Sequence, residues 1–259
     1  RFDFEIYPMS NKLSFFDNKS FSMDGNIYVG DFAFSGKDVR FNYDDFAFQF
    51  NKNSIFSFID PNGEELSSSL IHFDYGLLFI DSAINKSGLE KLNDFPRFET
   101  YNNSFLSYNN NPVQFLIDPI FISYLSDISL ENISFSGSLY IDGDSIEANG
   151  ILKFNKSHNL ETVIICDSID VYKNTITLEQ GSLFLNQDGL FASGNFTSND
   201  LYFYSNSIEL LSGQLIGNVR NIMNGPSLDS VPFTANLAGL HYTPYDNNFL
   251  IKSNNSTIN

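Results

Sequence analysis

The sequence predicts an all-β protein, and three observations carry that prediction. Apolar and polar side chains alternate at period two along most of the chain. Glycines recur at the head of short strand-like phrases, and no helical period of crossover length separates those phrases. Period-two alternation marks a strand with one buried and one wet face, because successive side chains point to opposite sides. The glycine phrases are clearest in Ser136-Gly137-Ser138-Leu139-Tyr140-Ile141, Gln180-Gly181-Ser182-Leu183-Phe184-Leu185 and Ser193-Gly194-Asn195-Phe196-Thr197. Gly137 and Gly150 lie 13 residues apart, as do Gly181 and Gly194, a regularity that marks where strands turn or kink. A parallel sheet of βαβ units is excluded without crossover helices. An elongated or curved antiparallel sheet, a β-sandwich or solenoid-like repeats remain.

Taken in order, residues 1–81 form a strand-rich N-terminal part. Asn26-Ile27-Tyr28-Val29-Gly30 and Asp31-Phe32-Ala33-Phe34-Ser35-Gly36 read as strands joined by a glycine turn. Asp38-Val39-Arg40-Phe41-Asn42-Tyr43 and Phe46-Ala47-Phe48-Gln49-Phe50 continue the alternation, and His72 to Ile80 reads as a strand pair. Asp60-Pro61-Asn62-Gly63 is a turn, since proline presets φ and Asn-Gly accepts left-handed geometry.

Residues 82–129 form an irregular connecting region with one or two short helices. One is a turn or two at Ser87-Gly88-Leu89-Glu90-Lys91-Leu92, capped by Ser87. The other begins at Asp118-Pro119 and places Ile120, Phe121, Tyr124 and Leu125 on one face. Tyr108-Asn109-Asn110-Asn111-Pro112 is a loop. Residues 130–259 form a repetitive β-rich part. Its short strands follow quickly at Ile133–Phe135, Leu139–Ile141, Ile151–Phe154, Ile176–Leu178, Leu183–Leu185, Leu201–Tyr204 and Ile208–Leu210. The polar tail after Lys252 closes no core, and the chain begins at Arg1, so the sequence is expected to be a fragment of a much longer chain.

Composition narrows the function. The chain has 259 residues, 28 Phe, 13 Tyr and no Trp, and 17% of its residues are charged, a balance that supplies a large core. With 14 basic against 31 acidic residues the formal charge is −17, so nucleic acid is a poor partner. No apolar run approaches the ~18 residues that span a bilayer, so no transmembrane segment is expected. The one cysteine, Cys166, sits in the apolar run Thr162-Val163-Ile164-Ile165-Cys166 and reads as a small buried hydrophobe; His158 is the nearest base in sequence.

Candidate chemistry is sparse. His72, His158 and His241 are scattered, without the spacing of a metal cluster or triad, and no catalytic residue or cofactor is assigned. Asp142, Asp144 and Glu147 are the one weak metal candidate, since oxygen ligands at alternating positions suit calcium; a solvated turn explains them as well, and the further carboxylates of a calcium loop are missing. Tyr202-Phe203-Tyr204 offers two tyrosines on one side of a strand, a face for a sugar or simply a half-covered core edge. Asn-x-Ser/Thr triplets at Asn18, Asn85, Asn132, Asn155 and Asn195 are near chance in so Asn- and Ser-rich a chain.

Four stretches carry a resemblance: Ile84-Asn85-Lys86-Ser87-Gly88 followed by Phe95-Pro96; Phe115-Leu116-Ile117-Asp118-Pro119 with Ile133-Ser134-Phe135-Ser136-Gly137; Asp188-Gly189-Leu190-Phe191-Ala192-Ser193-Gly194; and Tyr242-Thr243-Pro244-Tyr245. Their order and separation resemble large, uncharacterised, β-rich envelope or secreted proteins of the Bacteroidetes, over most of the chain from about Ile6. Asp142-Gly143-Asp144-Ser145-Ile146 departs from that pattern. The resemblance implies a location in the cell envelope, periplasmic or outer-membrane associated, or secreted, and membership of a long scaffold; no catalytic residue is carried over. It also gives meaning to Asp-Ser-apolar triplets at Ser82, Ser145, Ser168 and Ser230, which are similar to the glycosylation sites of exported Bacteroidetes proteins.

The function expected from these observations is a non-enzymatic structural or assembly module of the bacterial envelope. Its partners would be other envelope proteins or flanking repeats of the same chain. The alternatives are a lipid-carrying groove lined by alternating phenylalanines and an extracellular carbohydrate-binding module. An open phenylalanine face distinguishes the first alternative, and exposed tyrosines on one face distinguish the second.

Overall fold

The computed structural model describes residues 4–59, 62–66, 70–107, 113–141, 144–157, 159–172, 175–199, 201–224, 233–246 and 248–253. In chain order the strands are β1 (Phe4–Pro8), β2 (Ser14–Phe15), β3 (Phe21–Val29), β4 (Phe32–Asn42), β5 (Ala47–Phe50), β6 (Ser54–Phe58) and β7 (Ile71–Phe73). There follow β8 (Gly76–Phe79), β9 (Arg97–Thr100), β10 (Ser104–Ser107), β11 (Val113–Ile117), β12 (Phe121–Ser123), β13 (Ser134–Ile141) and β14 (Asp144–Phe154). The last seven are β15 (Leu160–Val171), β16 (Ile176–Asn186), β17 (Gly189–Ser198), β18 (Leu201–Leu211), β19 (Gln214–Asn224), β20 (Thr234–Thr243) and β21 (Asn248–Ser253). The protein is all-β, and its ladders are antiparallel.

The expected short helices are not there. Among the described residues the only helical turns are two 3-10 turns, Leu130–Asn132 and Pro244–Asp246. Residues 87–92 are irregular, with a turn residue at Ser87 and a bend at Glu90. Phe121–Ser123 is strand β12, paired with β9. Its apolar residues follow period two: Ile120 and Ile122 are buried while Phe121 is 64% exposed. Segments this short form helices poorly on their own, and pairing on a sheet edge wins. Asp60 and Pro61 of the predicted turn, and the predicted loop 108–112, lie outside the described residues.

The chain divides into two compact units. One comprises Arg1–Leu106, Leu116–Phe135 and Lys153–Asn159; the other comprises Ser107–Phe115, Ser136–Leu152 and Leu160–Asn259.

The first unit is a sandwich made by branching. Strands β3 and β4 form a hairpin around Gly30-Asp31, with Gly30 at φ +55°. β4 then forks: Phe32–Ser35 pair with β6, and Arg40–Asn42 pair with β5. Between them, Lys37 and Asp38 together stand opposite the single residue Asp24, one extra residue on β4, since Gly25 faces Gly36 while Met23 faces Val39. This bulge is pinned where the Asp38 N–H donates to Asp24 Oδ1 at 2.7 Å and Asn51 Nδ2 donates to the Asp38 carbonyl at 2.9 Å.

One branch continues through β8, β9 and β12, the other through β7 and β10. Phenylalanines fill the space between the branches. The ring centroids of Phe56 and Phe98 lie 5.4 Å apart, those of Phe73 and Phe98 5.2 Å, and those of Phe50 and Phe73 5.6 Å. Offset and edge-on pairs at this spacing are attractive, by about 0.5–1.5 kcal/mol each beyond the area they bury.

The second unit is a sandwich made by bending. Strands β15 to β21 form one up-and-down meander in sequence order. Segments that read in the sequence as separate short strands are halves of single strands. Ile176–Leu178 and Leu183–Leu185 both lie in β16, and Leu201–Tyr204 and Ile208–Leu210 both lie in β18. The strands are kinked by register shifts at 179–182, 192–194 and 204–207.

At the kink two backbones meet. A Cβ on Gly181 would lie 2.4 Å from the Ser193 carbonyl oxygen, and one on Gly194 2.8 Å from the Gly181 Cα. Gly194 also sits at φ +143°, a conformation that side-chain-bearing residues rarely adopt. The 13-residue interval between these glycines is therefore the two arms of one hairpin meeting at its bend.

Bending brings opposite ends of the meander together. Tyr172, in the β15–β16 turn, places its hydroxyl 2.8 Å and 2.7 Å from the carbonyls of Leu211 and Gln214, at the β18–β19 turn. The Tyr242 hydroxyl donates to Ser198 Oγ at 3.3 Å. In a straight meander these groups would stand at opposite ends of strands roughly 30 Å long. The two layers enclose Leu178, Leu183, Phe196, Phe203, Ile208, Leu215, Val219 and Tyr242, all buried. Strands that pass from one layer to the other through a bulge or bend are the usual corners of such packings.

Candidate binding faces

The outer faces of the bent meander are where its side chains are free to meet a partner, and the two layers differ. In the first layer the ladder aligns Val163, Phe184, Phe191, Glu209, Ile216, His241 and Leu250 in one row. Val163, Ile216 and Leu250 are exposed, Phe184 and Phe191 half-buried, and neighbouring Ile165 is 86% exposed. The row exists because its inward neighbours, among them Leu183, Ala192 and Ile208, fill the core, which forces the next residue of each strand outward.

In the second layer the corresponding rows are mostly polar. Ser168, Glu179, Asn195, Tyr204, Arg220 and Leu237 align in one, and Asp170, Thr177, Thr197, Tyr202, Met223 and Thr234 in the next. Tyr202 and Tyr204 share this outer side, as the alternation predicts, while Phe203 is buried and stacks on Phe196 at 4.8 Å. Thr177 Oγ1 donates to Asp170 Oδ1 at 2.7 Å.

The other predicted positions fall apart in space or outside the described residues. His72 is half-buried against the Phe105 ring at 4.9 Å, and burial lowers its pKa. His241 is exposed, with Nε2 2.8 Å from Gln214 Oε1. His158 and Asp142 lie outside the described residues. Asp144 and Glu147 fall in β14, whose described part there is backbone alone. Among the described residues no three of the His, Cys, Asp and Glu side chains are placed to share a metal ion. Cys166 is half-buried, its Sγ 3.5 Å from the Gly181 carbonyl, and burial raises its thiol pKa.

Of the Asp-Ser-apolar positions, Ser168 is exposed on β15 and Ser82 is half-buried; the side chain of Ser145 and the whole of Ser230 lie outside the described residues. Asn85 is 6% exposed. Its amide donates to Asp81 Oδ2 at 2.9 Å and to the Glu90 carbonyl at 2.7 Å, so it organises the loop after β8 and offers no acceptor for a glycan. The alternating phenylalanines are closed: Phe32, Phe34, Phe48, Phe50, Phe56, Phe58, Phe73 and Phe98 are all within the core of the first unit.

Sequence reading missed Arg97. Its guanidinium lies 4.5 Å, 5.1 Å and 5.7 Å from the Phe79, Phe95 and Phe121 ring centres, with Nε 3.6 Å from Glu99 Oε2. Three rings around one cation form a covered structural contact on β8, β9 and β12. The row through Glu179, Asn195 and Arg220 was missed too, because these residues are scattered in sequence and only the ladder register brings them together.

Comparison with protein-family models, with curated proteins and with solved structures gave no match. No helix among the described residues is long and apolar enough to cross a membrane.

Proposed function

We propose that the chain is a non-enzymatic structural or assembly module acting through protein–protein contacts, in the cell envelope that its sequence resemblance implies. The observation that carries this reading is the outer row of the first layer, with Ile165 86% and Val163 57% exposed beside half-buried Phe184 and Phe191. Contiguous exposed apolar surface rimmed by polar residues marks a surface that a protein partner covers. The closed phenylalanine core favours this reading over a lipid trough, which needs an open apolar lining.

A photo-crosslinking residue at Ile165, introduced in the parent organism, tests the proposal. A discrete protein adduct at Ile165 that is absent when the same residue replaces exposed Lys37 is the expected outcome. Equal, diffuse labelling at both positions would remove the reading.

A further inference from the structure

The geometry points to a second site, on the opposite layer of the same unit: a glycan-binding face centred on Tyr202 and Tyr204. Both tyrosines project from β18 on one side, at a separation of about 7 Å set by the strand repeat. Neither hydroxyl has a hydrogen-bond partner among the described residues, and neither ring stacks on another aromatic there. Asn195 stands directly beside Tyr204 on one neighbouring strand and Arg220 on the other, with Glu179 one strand further; Thr197 stands beside Tyr202. Glu179, Asn195 and Arg220 likewise make no side-chain hydrogen bond or ion pair among the described residues.

The chemistry of this set selects the ligand. A sugar ring presents C–H groups on its faces and hydroxyls around its rim. The tyrosine rings offer π faces to the C–H groups. Glu179 accepts only, Arg220 donates only, and Asn195, Thr197 and the phenols do both, which matches hydroxyls that must donate as well as accept.

A phosphate-rich polymer would need clustered cations. Arg220 is the single cation in these two rows, on a chain of net charge −17. A protein partner would need a desolvated apolar centre; the large aliphatic side chains of these rows, Met223 and Leu237, lie to one side on β19 and β20, while the rows toward β15 are polar. From Glu179 to Arg220 the row crosses three strand gaps, roughly 14 Å, long enough for a short oligosaccharide lying across the strands. The side chains stand on hydrogen-bonded central strands above a packed core, so little ordering is left for binding to impose.

The site goes beyond the protein-docking proposal and does not depend on it, since it uses the other layer. The test is a glycan array probed with the intact chain, followed by titration of the best-bound oligosaccharide. Saturable binding that weakens about tenfold or more in Tyr202→Ala and Tyr204→Ala, and severalfold in Asn195→Ala, is the expected result. Circular dichroism controls for folding, and Asn195→Ala, being exposed and outside the core, keeps the test valid if a tyrosine variant misfolds. No saturable binding on the array, or binding unchanged by all three substitutions, would overturn the proposal. A photo-crosslink from position 204 to a protein in place of a glycan would overturn it too.

Discussion

The two units reach the same two-layered core by different means. The first forks a sheet at β4 and folds the branches together, which leaves a thick interior that large rings fill; phenylalanines from β4, β5, β6, β7 and β9 meet there. The second bends the middle strands of one meander, β16 to β19, which brings backbones to within a Cβ of each other and requires glycine at the crease. Its interior is lined mainly by Leu, Ile, Val and Ala, with Phe115, Tyr172, Phe196, Phe203 and Tyr242 as the buried rings among the described residues. Branching makes side-chain volume the limiting quantity, and bending makes backbone clearance limiting. Substitutions should therefore fail for different reasons in the two units.

The largest effect is expected at Phe98, which is fully buried and lies within ring-contact distance of Phe34, Phe50, Phe56 and Phe73. Phe98→Ala removes the ring that joins the branches and should cost about 3–5 kcal/mol. Peptide-resolved hydrogen exchange checks it: protection should fall across β4 to β9 and persist in β16 to β19. Equal loss in both sets would break the distinction between the units.

The second unit should fail at its crease. Gly194→Val places a branched side chain at φ +143°, 2.8 Å from the Gly181 Cα, and should cost about 1–3 kcal/mol through backbone strain alone. Gly239 sharpens the point. It lies on β20 with nothing nearer than 3.8 Å to an added Cβ, so Gly239→Ala should stay within about 0.5 kcal/mol of the parent. Urea titrations of both variants, followed by far-ultraviolet circular dichroism, give the comparison. A crease that tolerated valine as well as position 239 tolerates alanine would refute backbone clearance as the controlling quantity.

How much of this was legible depended on distance along the chain. The β class, the β3–β4 hairpin and the inward Phe203 between outward tyrosines follow from alternation, which is local. The crease was half legible. Gly181 and Gly194 stood out by their spacing, but the extra residue at each bend reverses the alternation, so β16 and β18 read as two short strands apiece. The Ile120–Leu125 segment misled because period two and period 3.6 overlap in so short a run, and pairing with β9 decided it. The binding faces were least legible. Glu179, Asn195, Tyr204 and Arg220 become neighbours only once the bulges have fixed the register, and no local pattern encodes that.

Smaller effects test the closure of each unit. Tyr172 carries its hydroxyl from one end of the bent meander to the carbonyls of Leu211 and Gln214 at the other. Tyr172→Phe keeps the ring and leaves those carbonyls short of a donor, for a loss of about 1 kcal/mol. Hydrogen exchange should rise first at the β18–β19 turn; an unchanged turn would mean that the packing of Tyr172 against Tyr245 closes the end by itself.

The smallest expected effect belongs to the first unit and depends on pH. His72 lies half-buried against Phe105, and burial lowers its pKa below the ordinary imidazole value of about 6.5. Below that ordinary value the unfolded chain takes up the proton more readily than the folded one, so the neutral imidazole's contribution is present above it and is lost as pH falls. The loss levels off once the folded imidazole is protonated as well. The chain carries 31 acidic residues whose own titration overlaps this window, so the measurement is a difference: stability against pH for the parent minus that for His72→Gln. The difference should rise between about pH 5 and 7 and flatten above. A flat difference throughout would mean that the imidazole is solvated as well in the fold as in the unfolded chain, and that the edge of the branched sandwich at β7 and β10 is looser than its phenylalanine centre.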